Sequence, residues 1–152
     1  MKKTQIILFY MAVAYMSLGL MGGLYYRELT KSHDFPASEF TQLSVVHTHL
    51  FALGFIVSLV LLALDKLFGL SNAKSFRWGL VIYNVGIITT VGVMVWHGTL
   101  QVLGQDGTPA ISGIAGLGHI FLTLALILIM LALGSAVHNS SQARQQDAAV
   151  QS

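Results

Sequence analysis

Four histidines stand inside runs of apolar residues: His47 and His49 in Val45-Val46-His47-Thr48-His49-Leu50-Phe51, His97 in Val95-Trp96-His97-Gly98, and His119 in Gly118-His119-Ile120. Imidazole in hydrocarbon is costly unless it is hydrogen-bonded or bound to something. It is also the side chain most used to hold metal ions and haem iron. The i, i+2 spacing of His47 and His49 limits what they can do together. On a helix they point about 200° apart, so they cannot ligate one iron in common. Either they serve two sites, or one is a ligand and the other a hydrogen-bonding group.

The elements that carry these residues follow from composition. The chain has 152 residues, 55% hydrophobic and 9% charged, with a mean hydropathy of +0.72. A soluble domain carries about 25% charged residues, so this is the composition of a membrane protein. Four apolar runs, roughly 5–27, 41–68, 76–103 and 110–137, each exceed the roughly 20 residues a spanning helix needs. The first follows Lys2-Lys3, but its apolar run is too long for a signal-peptide core and lacks a small-x-small cleavage site. Thr108-Pro109 marks the start of the last helix, with proline at its first position. From Asn139 the chain turns to Gln, Ser and Ala, which predicts a disordered cytoplasmic tail over 139–152 behind a helical domain over 1–138.

Charge sets the orientation. The N-terminus, second loop and tail carry Lys2, Lys3, Lys66, Lys74, Arg77 and Arg144, against only Arg27 and Lys31 in the first and third loops. The positive-inside rule then places both termini in the cytoplasm. The fold class is all-α: an integral membrane four-helix up-down-up-down bundle. With no cysteine, disulfides, thiolate metal sites, iron–sulfur clusters and covalently attached haem are excluded. A net charge of +2 without a basic stripe excludes nucleic acid as a partner.

Depth brings the histidines together. His47 and His49 lie six and eight residues in from the outer start of the second run, His97 six residues before the outer end of the third, and His119 nine residues into the fourth. At 1.5 Å per residue, all four fall within about 5 Å of one level in the outer half of the membrane. No intramembrane Asp or Glu is there to pair with them; Asp65 lies near an inner end. Four imidazoles without acids favour a metal or haem over a hydrogen-bonded cluster or an acidic proton relay. Small residues flank each histidine (Gly54, Gly86, Gly98, Gly113, Gly116 and Gly118), and Phe51, Trp96 and Phe121 stand near. That combination suits a flat macrocycle better than a bare ion, which wants acceptors behind its ligands. The same glycines, and the G-x-x-x-G face of Gly19 and Gly23, also suit plain close packing of helices.

If helices two and four lie diagonally across a bundle, His47 and His119 form an axial pair, and His49 with His97 form a second haem site or a copper site. Arg27, below Tyr25-Tyr26, is the candidate for holding propionates, or else an interfacial anchor. Four helices enclose little, so a homodimer or higher homo-oligomer in the lipid bilayer is expected.

At His47-Thr48-x-Leu and Gly54-Phe55 the sequence resembles helix two of the haem–copper oxidase superfamily, especially nitric oxide reductases and cbb3-type oxidases. The glycine-rich first helix ending Tyr25-Tyr26-Arg27 resembles the helix before it. The whole chain looks like a small family of four-helix bacterial membrane proteins. The resemblance implies haem b, one or two per chain, with His47 as axial ligand, in the bacterial inner membrane. The oxidases have about twelve helices, a separate copper-binding histidine cluster and an active-site tyrosine, which this chain does not reproduce. The expected function is therefore a bis-histidine b-type cytochrome for electron transfer or redox and haem sensing, with a quinol or periplasmic partner. The alternatives are a copper or zinc site held by His49, His97 and His119, and a haem carrier or nitric-oxide-binding stress module.

Overall fold

The computed structural model describes residues 3–150, with only the backbone for 143, 144, 147, 148 and 150. Lys2, the Arg144 side chain and residues 151–152 of the tail therefore lie outside the described residues. Four long helices carry the chain: α1 (Lys3–Ser32), α2 (Leu43–Phe68), α3 (Lys74–Val102) and α4 (Pro109–Val150). All four are long and apolar enough to cross a membrane, α4 through its Pro109–Gln142 part. The described residues contain no strand.

The helix ends follow local chemistry. α1 stops where Asp34 takes a left-handed φ of 48°, the Phe35 amide bonds back to the Thr30 carbonyl at 3.0 Å, and Pro36 bars continuation. α2 stops at Gly69 (φ 66°), whose amide reaches the Asp65 carbonyl, and α3 ends before Gly104 (φ 67°). α4 begins at Pro109, where a missing N–H costs nothing. Its far end departs from expectation. The segment from Asn139, read as disordered, continues the helix to Val150, because Ala and Gln propagate a helix and no Gly or Pro interrupts it after Gly134.

Successive helices run antiparallel. Gly19 and Gly22 of α1 receive Phe51 and Val46 of α2; Gly79 and Gly86 of α3 receive Ile129 and Leu122 of α4. α2 and α3 are joined at one end, where Leu43 packs on Gly98, the Thr41 hydroxyl donates to the Gly98 carbonyl at 2.9 Å, and the Gln42 amide donates to Gln101 Oε1 at 2.8 Å. The up-down-up-down order is thus present, but the bundle is open. α1 and α4 do not pack side by side; each lies against the α2–α3 pair on its own side. Many large apolar side chains of α1 and α4, such as Leu20, Met21, Met130 and Leu131, are left facing outward, as lipid contact requires.

The middle of α2, Leu50–Ile56, is a π-helix. Its wider turns leave carbonyls without their usual amide partners, and no water reaches them in a bilayer. Side chains fill the gap: the Tyr83 hydroxyl donates to the Leu53 carbonyl at 2.9 Å and the Ser58 hydroxyl to the Gly54 carbonyl at 2.6 Å. Gly54 is required here, since a Cβ would stand 2.7 Å from Cβ of Tyr15.

Candidate functional site

The contacts between helices fix the depth of each histidine. Take the level at which Leu43 meets Gly98 as zero. Counting 1.5 Å per residue, His97 lies about 2 Å below it, His47 about 6 Å and His49 about 9 Å. Gly118 packs on Thr90, eight residues below Gly98, which puts His119 about 13 Å down. The four imidazoles span about 12 Å rather than the roughly 5 Å expected. Two offsets cause this: α2 starts level with Gly98 rather than with the end of α3, and the loop 103–108 displaces α4. The loop folds back over α3, bringing Gly107 against the His97 ring, so α4 starts deeper than α3 ends. Among the described residues no three of His, Asp or Glu come together as a metal-holding group, so the His49–His97–His119 cluster is not assembled.

Each ring has a different environment. His47 faces α1, with its Cβ 3.8 Å from where a Cβ on Gly23 would sit; its Nδ1 is buried without a partner and its Nε2 lies 3.4 Å from Thr48 Oγ1. His97 is covered by the loop: a Cβ on Gly107 would lie 2.6 Å from its Nε2. His49 and His119 share another arrangement. In each, Nδ1 is 2.9 Å from the carbonyl one turn back, that of Val45 and of Ala115. A carbonyl only accepts, so Nδ1 carries the proton and Nε2 keeps its lone pair outward. His49 is half-buried and His119 exposed.

The surroundings of His119 are low and open. Gly113 and Gly116 would meet nothing within 4 Å if they carried a Cβ, and Ser112, Ala115 and Thr123 complete a strip of small side chains on its side of α4. α2 and α4 touch mainly through Val57–Phe68, in the other half of the molecule, so near the histidines the two helices stand apart. α1 packs mainly on α2 and α4 mainly on α3, and His49 points about 200° away from His47. Of the expected pair, His47 packs against Gly23 of α1, whereas His119 is exposed. Gly19 and Gly23, read either as a packing face or as room for a cofactor, serve packing against Phe51 and His47. Arg27 is exposed and its Nε is 3.7 Å from Oε1 of Glu28, its own neighbour.

Sequence reasoning missed the polar residues that tie α1 to α3. The Tyr15 hydroxyl donates to Asn84 Oδ1 at 2.6 Å, and Asn84 Nδ2 donates to the Leu80 carbonyl at 2.7 Å and lies 3.6 Å from Met11 Sδ. Tyr25 and Thr99 hydroxyls meet at 3.1 Å. A lone Asn and a Tyr in apolar runs were the available signal, since each must find a partner in hydrocarbon.

Four apolar spans in alternating directions, with isolated imidazoles in one half, define a multi-pass membrane protein of all-helical fold. The chain belongs to the DUF2871 family, described as a protein of unknown function, whose family model matches residues 1–136. No curated protein and no solved structure matches it.

Proposed function

We propose that this protein is a b-type haem protein of the bacterial inner membrane, with haem held across the gap between α2 and α4 by His49 and His119. The observation that carries the reading is the shared state of these two rings. Both anchor Nδ1 on a helix carbonyl and leave Nε2 free, on helices that stand apart where the rings lie. A carbonyl behind Nδ1 fixes the tautomer and raises the basicity of Nε2, the usual second contact of a ligating histidine. Their depths differ by about 5 Å, against about 7 Å for His47 and His119. The small-residue strip of α4 leaves space for a flat ring, and the apolar helices exclude water from it. The resemblance to the oxidases points to His47 instead, but its ring is taken up by α1.

Haem held by His49 and His119 would supply one-electron exchange. The chain's part is to orient both imidazoles and keep the site dry. Exchange with a quinol or a periplasmic redox partner, and closure of the open side of α4 by a second copy in a homodimer, belong to the same proposal. The positive-inside count places the histidine end outward.

The test is the visible spectrum of detergent-purified full-length protein, oxidised and dithionite-reduced, with pyridine haemochrome quantitation. Low-spin b-type bands that are lost in His119→Ala and in His49→Ala, but kept in His47→Ala, are expected. A haem-supplied preparation free of porphyrin overturns the proposal, and copper or zinc in its place would identify a metal site.

A further inference from the structure

The geometry points to a binding site for an acidic phospholipid in the groove between α1 and α3 at the N-terminal end of the chain, away from His47, His49, His97 and His119. The groove encloses about 830 Å³. Its walls are apolar, built by Ile7 and Met11 from α1 and by Val81, Val85 and Ile88 from α3. Its mouth is not: Lys3 and Arg77 line it together with Ser71. Among the described residues neither cation pairs with a carboxylate, and the buried Ser71 hydroxyl has no partner. Asp65, the nearest acid along the chain, is 1% exposed and is turned onto the Ser71 amide, which donates to its Oδ1 at 2.6 Å.

Dimensions match one leaflet. From Arg77 to Ile88 the α3 wall rises about 16 Å, half of a hydrocarbon core of roughly 30 Å. A lipid with its phosphate at the mouth would lay its chains along this wall and end near the bilayer midplane. The groove also says what kind of amphiphile it takes. A quinone needs hydrogen-bond donors at depth, yet the one polar side chain deep in the groove, Asn84, is already engaged by Tyr15, Leu80 and Met11. The unengaged donors all stand at the mouth. Two cations there favour a net-negative headgroup over a zwitterionic one, because cations near a membrane surface attract acidic lipid. Basic pockets between membrane helices are where such headgroups settle.

The test uses the delipidated full-length protein in neutral detergent, titrated with phosphatidylglycerol or phosphatidylcholine of the same acyl chains and read by native mass spectrometry. Phosphatidylglycerol adducts retained several-fold better than phosphatidylcholine are expected. That preference should vanish in the Lys3→Gln/Arg77→Gln double variant, and both lipids should be lost in Val81→Trp, which fills the groove without touching charge. Helical circular dichroism equal to the parent shows that these variants fold; should either fail to fold, the single variants Lys3→Gln and Arg77→Gln, each expected to lower the preference, read the same site. Equal retention of the two lipids, or an unchanged preference in the double variant, overturns the assignment. So does binding of glycerol phosphate alone at the same strength, which would mark an anion site without a lipid. The chain has no cysteine, so oxidation of Val85→Cys to a disulfide dimer would show a second copy seated in the groove instead.

Discussion

Two glycine-lined seams hold this molecule together, and they treat their histidines in opposite ways. In the seam between α1 and α2, small residues on α1 receive large ones from α2, and His47 is one of the side chains received, beside Gly23. In the seam between α3 and α4, Gly79 and Gly86 receive Ile129 and Leu122 while Gly118 receives Thr90. His119 stands one residue beyond the packed Gly118, and Gly116, one turn back from it, faces open space, as does Gly113. A glycine in a membrane helix therefore has two uses, close approach or vacancy, and the neighbour decides which. His47, received at Gly23, is a packing residue; His119, which points away from its packed neighbour Gly118 and is exposed, is free to bind.

The sharpest way to break this contrast is haem content. His119→Ala and His49→Ala should reduce haem per chain to background, whereas His47→Ala should leave it near the parent value while lowering stability. Loss of haem from His47→Ala alone, with full haem in the other two, would reverse the roles of the two seams. Next comes stability. Gly54→Ala drives a Cβ into Tyr15 and should cost about 1–3 kcal/mol in a detergent unfolding titration, as overpacking does. Gly116→Ala, in open space, should stay within about 0.5 kcal/mol. If the two variants are equally stable, the seams are not packed as described. Gly116→Trp separates the two uses of glycine further: haem uptake should fall with little change in unfolding midpoint. The smallest effect expected is that of Tyr83→Phe. It strips a partner from the Leu53 carbonyl in the π-helical stretch and should cost roughly 0.6 kcal/mol, the typical worth of a hydrogen bond inside a membrane protein. A destabilisation several times larger would mean that the π-helix itself depends on that hydroxyl.

The π-helix shows where sequence reading stops. Gly54, Ser58 and Tyr83 are visible in the chain, but only their meeting explains why α2 widens there: Gly54 admits Tyr15, and the two hydroxyls take the released carbonyls. The loop 103–108 is a second case. Gly104 announces a helix end and Pro109 a helix start, and both stand where expected. That the loop folds down onto His97, shifting α4 along α3, is a tertiary event that no local signal encodes. The depth agreement expected among the four histidines depended on treating helix ends as level; this shift, together with α2 starting level with Gly98 rather than with the end of α3, undoes it.

Composition and the order of the apolar runs determined that the chain carries four helices fit to cross a membrane, and where most turns fall, because hydrocarbon thickness and backbone hydrogen bonding leave few other solutions. Composition also determined which side chains could ligate anything, since cysteine is absent and acids are scarce. Only the tertiary structure decided which way each histidine points and how deep it sits. In water an apolar stripe tells which face of a helix turns inward. In lipid the outside is as apolar as the inside, so a helix that is apolar all round carries no such mark, and its rotation is set by the fit of glycines against neighbouring side chains.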